Sequence, residues 1–156
     1  MGDEVAYFGD HIELSDGADD FASTIGVGGV VGSQFVLTAL AREKSKSDLT
    51  PAREAIFAKW LRIYRDKMPS AGTYMGTLYD IGFDRPEAHA IRKDQAMYYA
   101  FFARQWTGEL QLRGLEDREY KVVDYETGKY LKTVHGPKAM LRATFGGHLL
   151  LEASPD

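Results

Sequence analysis

One loop near the start of the chain concentrates the side chains that could do chemistry. Residues 10–20 hold four aspartates, one glutamate and one histidine, beginning with Asp10 and His11. Such a group could bind Ca²⁺, act as a general acid and base, or hydrogen-bond to sugar hydroxyls. The spacing is not that of an EF-hand, and one histidine without a second in reach is a poor zinc site. An ordinary acidic surface loop, in which Asp19 or Asp20 forms a turn or a cap, stays an alternative.

Glycines form a second group, at Gly26, Gly28, Gly29 and Gly32. A dinucleotide-binding loop would need its third glycine where Val31 stands, and no good helix opens there. We therefore predict a tight turn from a strand into a loop, in which the backbone approaches a neighbour closely. The sequence has no phosphate-binding loop, no nucleophile elbow and no cysteine, and we predict neither a cofactor nor a metal.

The composition is that of a folded protein, with 44% hydrophobic and 27% charged residues among 156. A net charge of −4 without a sustained basic run argues against nucleic acid as a partner. No apolar stretch approaches the roughly 20 residues of a membrane span. The acidic beginning of the sequence, residues 1–4, does not resemble a signal peptide. We expect a cytoplasmic protein with no membrane partner.

The elements that must position these side chains fall into two parts, which meet near residue 86. In the first part, Thr50 and Pro51 predict the start of a helix that Pro69 ends. Its apolar positions recur every three or four residues, at Ile56, Phe57, Trp60, Leu61, Tyr64 and Met68. Two continuous apolar runs before it predict buried parallel strands at residues 5–9 and 21–27.

The second part has the pattern of an antiparallel β-sandwich, with turn residues at short, regular intervals. Lys93-Asp94 and Glu126-Thr127-Gly128 are suited to tight hairpins. The predicted strands are 87–92, 96–104, 108–115, 120–124, 129–134, 139–145 and 148–153.

Taken together, these segments resemble the C-terminal part of bacterial α-galactosidases of glycoside hydrolase family 36 and their clan-D relatives. The resemblance is poorest at residues 36–48. It is carried by residues 7–14, 19–32, 49–51, the Trp60 helix, and residues 78–89, 97–103, 109–115, 123–125 and 147–153.

The resemblance implies an α+β fold, with the last strands and final helix of a (β/α)8 barrel in residues 1–86 and a C-terminal antiparallel β-sandwich in residues 87–156. The two apolar runs would be the seventh and eighth barrel strands. Barrel active sites lie at the C-terminal ends of the strands. Asp10, His11 and Gly28 are therefore the predicted substrate contacts.

The activity that the resemblance implies is cleavage of terminal α-galactosides by a pair of carboxylates. In clan D these come from earlier barrel strands, and nothing in this chain corresponds to them. We name no catalytic residue and expect the chain alone to be inactive. The implied partners are a galactoside or oligosaccharide substrate in the parent enzyme, and either the rest of the barrel or a second copy over the N-terminal edge.

Two other hypotheses stay open. A non-catalytic carbohydrate-binding or structural module would stack Trp106 and Tyr125 on sugar rings, which requires both rings to be exposed. A self-sufficient hydrolase would pair Asp10 with another acidic residue of its loop.

Overall fold

A computed structural model describes residues 8–9, 19–32 and 50–156 of the chain. The helices are α1 (Asp19–Gly26) and α2 (Pro51–Lys67), with a 3-10 turn at Pro69–Ala71. The strands are β1 (Phe8–Gly9), β2 (Val30–Val31), β3 (Thr73–Tyr74), β4 (Glu87–Lys93), β5 (Ala96–Leu112), β6 (Glu119–Asp124), β7 (Lys129–His135) and β8 (Ala139–Pro155).

Two sheets organise these strands. β1 and β2 form a short parallel pair, with α1 between them in sequence. The other strands form an antiparallel sheet in the order β3-β4-β5-β8-β6-β7. The mostly antiparallel architecture predicted for the second part of the chain is confirmed.

A bulge in the two longest strands bends this sheet. Ala103 pairs with Gly147 and Trp106 pairs with Phe145, so two residues of β5 oppose one residue of β8. Gly147 has φ 78°, a conformation that glycine adopts without a Cβ clash. An extra residue on one strand increases the local twist and bends the pair.

The bend brings the C-terminal end of β5 back towards the N-terminal half of the same strand. The Tyr99 hydroxyl donates a hydrogen bond of 2.7 Å to the carbonyl of Arg113, 14 residues away. A straight strand would separate these residues by about 46 Å. The folded sheet encloses an inner core of large side chains, among them Tyr99, Phe101, Leu110, Leu112, Tyr120, Val122, Leu141 and Leu151.

The same bend corrects two predicted strand boundaries. Residues 96–104 and 108–115 were expected to be separate strands, as were 139–145 and 148–153, but each pair is one 17-residue strand. Glycines at 146 and 147 suggested a turn, whereas here Gly147, with its positive φ, permits the bulge. β5 also ends earlier than predicted, because Gly114 has φ 87° in the following turn.

The opposite side of the sheet is covered by both helices. This helix-side core joins buried residues of α1 and α2 to one face of the sheet. Its members include Phe21, Ala22, Ile25, Phe57, Trp60, Ile91, Tyr98, Ala100, Tyr125 and Leu150.

The strand predicted at residues 21–27 is wrong, because this segment forms most of α1. Phe21, Ala22 and Ile25 are buried while Ser23 is exposed, which is the spacing of one helix face. A short apolar run of this length does not distinguish a buried strand from a buried helix. The parallel neighbour of β1 is instead β2.

Gly28 ends α1. The amide of Gly29 donates to the carbonyl of Thr24 at 2.7 Å, and the amide of Gly28 donates to that of Ile25 at 3.0 Å. This pair of bonds, with Gly28 at φ 78°, is a Schellman motif. The tight turn predicted at this glycine cluster is confirmed, but it follows a helix and not the predicted strand.

The helix predicted from Thr50 onward is confirmed. Thr50 Oγ1 accepts a hydrogen bond from the amide of Arg53 at 3.3 Å, and Pro51 occupies the first helical position. Met68 adopts a left-handed conformation just before Pro69. Neither described helix is long and apolar enough to cross a bilayer.

The contact of α1 with the sheet predicts the effect of enlarging Gly26. A Cβ at this position would lie 2.6 Å from Cβ of Ala100 and 3.1 Å from Cζ of Phe102. We expect Gly26→Ala to lower the free energy of unfolding by about 1–3 kcal/mol, because α1 must move off the sheet. Urea unfolding followed by circular dichroism measures the change.

Gly146→Ala is the matched control, since a Cβ there would meet its nearest atoms at an ordinary 3.5 Å. We expect this control to change stability by less than about 0.5 kcal/mol. Equal effects of the two substitutions would contradict the assigned contact.

Candidate functional site

The predicted substrate contacts fall in different places. Asp10 and His11 lie outside the described residues. Gly28 follows α1 and precedes β2, and a Cβ there would lie 3.0 Å from Cδ1 of Ile91. The helix end and this contact together explain why a glycine stands at position 28. The predicted contact of Gly28 with substrate stays a prediction.

The polar groups that the structure does bring together lie where the helices meet the sheet. Nζ of Lys59, on α2, is 2.6 Å from Oε1 of Glu126, and Nε2 of His148 is 2.7 Å from Oε2 of the same carboxylate. Glu126 lies in the β6–β7 turn and His148 immediately follows the bulge in β8. These three residues form the Glu126 cluster, which ties three separate elements together.

The electrostatics of Glu126 decide what this cluster can do. The hydrogen bond from His148, opposed by partial burial and reinforced by Lys59, lowers the pKa of Glu126 from 4.5 to about 2. The carboxylate is therefore ionised at neutral pH, and each oxygen already accepts a bond. A general acid needs a proton near neutral pH, so Glu126 is unsuited to that role, and the bonds to both of its oxygens tie α2 to β8.

An aromatic stack lies beside this cluster. The rings of Phe21 and Trp60 are stacked at 6.1 Å, and Phe57 meets Phe21 edge-on at 4.6 Å. Trp60 also meets the His148 ring at 5.9 Å. Pairs of this kind contribute about 0.5–1.5 kcal/mol beyond area burial. The stack therefore links α1, α2 and β8 through close ring contacts.

A second polar group occupies the same side of the sheet. The Tyr74 hydroxyl is 2.7 Å from Nδ1 of His89, and Nε2 of His89 is 2.9 Å from Oε1 of Glu87. Burial and the charge of Glu87 raise the pKa of Tyr74, so its phenol stays protonated at neutral pH. A protonated phenol donating to Nδ1 leaves Nε2–H of His89 to donate to Glu87. These two hydrogen bonds satisfy both ring nitrogens of the buried His89.

Lys67 provides a third tie at the end of α2. Its ammonium is 2.9 Å from Oε2 of Glu152 on β8. Burial, with the charge of Glu152, raises the pKa of neighbouring Tyr98 to about 12. Cations near a helix C-terminus are favoured by the helix dipole. This ion pair therefore fixes the last turn of α2 on the sheet.

The arrangement supports packing more directly than catalysis. Glu87, Glu126 and Glu152 each have a histidine or lysine partner. Within residues 8–9, 19–32 and 50–156, no group of three His, Asp or Glu side chains is placed to hold a metal ion. The described chemistry on this side of the sheet is therefore a set of ties between helices and sheet.

The aromatic residues of the module hypothesis do not have the exposure it requires. Tyr125 is buried in the helix-side core, so its ring cannot stack on a sugar. Trp106 is partly buried against the inner core, and its Nε1 is buried without a hydrogen-bond partner in the described part. The hypothesis that Tyr125 stacks on a sugar is therefore wrong, and the same hypothesis for Trp106 is weakened.

Sequence reasoning missed the Glu126 cluster. Lys59 and Glu126 are 67 positions apart, and Glu126 and His148 are 22 apart. We interpreted Glu126 as a turn residue and His148 as a sheet residue, which they are. Their meeting depends on the strand order and on the bulge, and neither is visible in local spacing.

With its mostly antiparallel sheet and few helices, the chain matches the C-terminal sandwich of glycoside hydrolases. It is 29% identical over 161 residues to the A type blood α-D-galactosamine galactosaminidase of Flavonifractor plautii, covering 98% of this chain and 13% of that protein. No protein-family profile matches the sequence.

Solved structures show the same fold at low sequence identity. A β-L-arabinopyranosidase from Geobacillus stearothermophilus matches with a TM-score of 0.57 and 12% identity, over 88% of this chain and 29% of that one. α-Galactosidase I from Mortierella vinacea matches with a TM-score of 0.51 and 8% identity, over 88% of this chain and 35% of that one. The chain thus spans a small part of the proteins it matches.

The Glu126 cluster predicts a pH-dependent contribution to stability. The pKa of Glu126 is lowered on folding, so its contribution is present above pH 4.5 and is lost as the pH falls towards about 2. We expect Glu126→Gln to lower the free energy of unfolding by about 2 kcal/mol at neutral pH. The difference from the unmodified chain should shrink across that acidic interval.

Glu119→Gln serves as the control, since Glu119 is an exposed glutamate of β6. Urea unfolding of all three proteins at a series of pH values measures the differences. A constant difference between the unmodified chain and Glu126→Gln down to the lowest pH would contradict the assigned contacts of the ionised Glu126 carboxylate.

Proposed function

We propose that the chain is the C-terminal part of an α-galactosidase- or galactosaminidase-type glycoside hydrolase, and that its sheet supports the end of the catalytic barrel. The observation that carries the proposal is the packing of α1 and α2 together on one face of the antiparallel sheet. The chemistry of the parent enzyme would reside in other strands of the barrel. In this proposal, the helices and the sheet contribute packing that holds the end of the barrel in place.

The order of elements supports the barrel assignment of residues 1–86. β1, α1 and β2 follow one another, and the two strands are parallel neighbours, as strands of a barrel are. α2 comes next and packs with α1. In this proposal β1 and β2 are the last two barrel strands, α2 is the final helix, and residues 87–156 are the supporting sheet.

This arrangement also refines the proposed substrate contacts. Asp10 and His11 directly follow β1 in sequence, at the strand end where barrel enzymes place their active sites. Gly28 precedes β2 and so belongs to the opposite strand end. We propose direct sugar contacts for Asp10 and His11, and an indirect role for Gly28 through the position of β2.

The partners follow from the same proposal. The parent enzyme would bind a galactoside or a related oligosaccharide, as the name of the Flavonifractor plautii relative suggests. One side of α2, which includes Ala58, Leu61 and Arg62, borders an open depression of the surface. We propose that the rest of the barrel covers this side, with a second copy of the chain as the alternative.

Activity measurements on the purified chain test this proposal. We expect no release of the aryl group from aryl α-galactosides, α-galactosaminides or α-N-acetylgalactosaminides, because the catalytic carboxylates would be supplied by other barrel strands. The assay compares the chain with buffer and with an Asp10→Asn variant. Turnover by the chain that Asp10→Asn abolishes would establish the self-sufficient hydrolase and overturn the proposal.

A further inference from the structure

We propose that the chain carries a carbohydrate-binding cleft on the side of the sheet away from the two helices, between loop 78–86 and the outer half of β5. Its ligand is one edge of a galactose-type pyranose. The relationship to galactose-processing enzymes guides only the choice of sugar. The cleft itself is argued from its walls, and its test measures binding rather than turnover.

The cleft has a volume of about 110 Å³, and both apolar and polar residues line it. Its apolar lining consists of Ala88, Phe101 and Leu110, which belong to the inner core, together with Pro86 and Met140. Small-molecule sites combine such apolar surfaces with a few polar groups that fix orientation. A space this small admits one edge of a sugar and leaves the rest of the ring outside.

The rim supplies the polar groups. Arg85, Glu109 and Gln111 all border the cleft. The Arg85 guanidinium donates to the carbonyl of Asp84 at 3.1 Å and keeps further N–H groups for a ligand. A carboxylate and a guanidinium at one opening can accept from and donate to adjacent hydroxyls of the same sugar.

The loop that forms one wall is held rigidly. Arg113 pairs with both carboxylate oxygens of Asp84, at 2.8 and 3.1 Å, and donates to the carbonyl of Leu78 at 2.9 Å. Tyr79 donates to the carbonyl of Gln111 at 2.5 Å and accepts from the amide of Arg113 at 3.1 Å. Preorganised walls lower the entropy cost of binding.

The tip of the same loop displays apolar side chains that no core contact explains. Phe83 is 82% exposed and Ile81 is 53% exposed. Phe83 directly precedes Asp84 and Arg85, which line the cleft, so its exposed ring belongs to the same short segment as one wall. The face of an aromatic ring packs well against the C–H face of galactose, so Phe83 can contact the part of the sugar that the cleft does not enclose.

Nuclear magnetic resonance titration of the labelled chain with free galactose tests the cleft. Free galactose cannot be hydrolysed, so the result does not depend on the proposed function. We expect saturable shifts at loop 78–86 and Glu109, with a dissociation constant on the order of 1 mM. Phe83→Ala and Glu109→Gln should each weaken binding about tenfold or more.

Tyr130→Ala is the matched control, because Tyr130 is a 51% exposed aromatic residue on edge strand β7, away from the cleft lining. It should leave binding unchanged, and an unchanged amide spectrum shows that each variant is folded. The proposal is overturned if galactose does not bind, or if binding survives both cleft substitutions. The second result would place the sugar elsewhere, for example at the loop beginning with Asp10.

Discussion

The bend at the bulge between β5 and β8 is the constraint on which the rest of the structure depends. Two residues of β5 opposite one of β8 turn a long ribbon back on itself. The concave side then encloses the inner core, and the convex side is left free for two helices. Without the bend, both faces of a flat sheet would need separate cover, because its apolar residues lie on both sides.

The two sides of the sheet are held by different forces. The inner core is almost entirely apolar and aromatic, with tyrosine hydroxyls bonded to backbone carbonyls at its margin. The helix side adds ion pairs through Lys59 and Lys67 to its apolar contacts. Ion pairs require defined geometry, so they set the position of α2 more than they add to its burial energy. The proposed role of the sheet as a support for a catalytic barrel would need this kind of fixed placement.

Local sequence signals predicted α2, its cap and the hairpin turns, because these depend on neighbours within four residues. They failed at α1, where a run of apolar residues suits both a helix and a strand. Gly28 carried the missing signal, since a glycine at that spacing after an apolar face ends a helix. The sequence also did not predict that β8 continues through Gly146 and Gly147, because a pair of glycines usually indicates a turn. The Glu126 cluster joins residues distant in sequence, so no local pattern could reveal it.

The place of β8 in both cores has a consequence for the order of folding on the ribosome. Leu150 belongs to the helix-side core and Leu151 to the inner core, and both are completely buried. They follow α1 and α2 by more than 80 residues of chain, and synthesis proceeds from the N-terminus. The helices therefore leave the ribosome before β8 can complete the face of the sheet on which they pack. Until β8 emerges, Trp60 lacks its ring contact with His148 and offers an apolar surface that chaperones can bind.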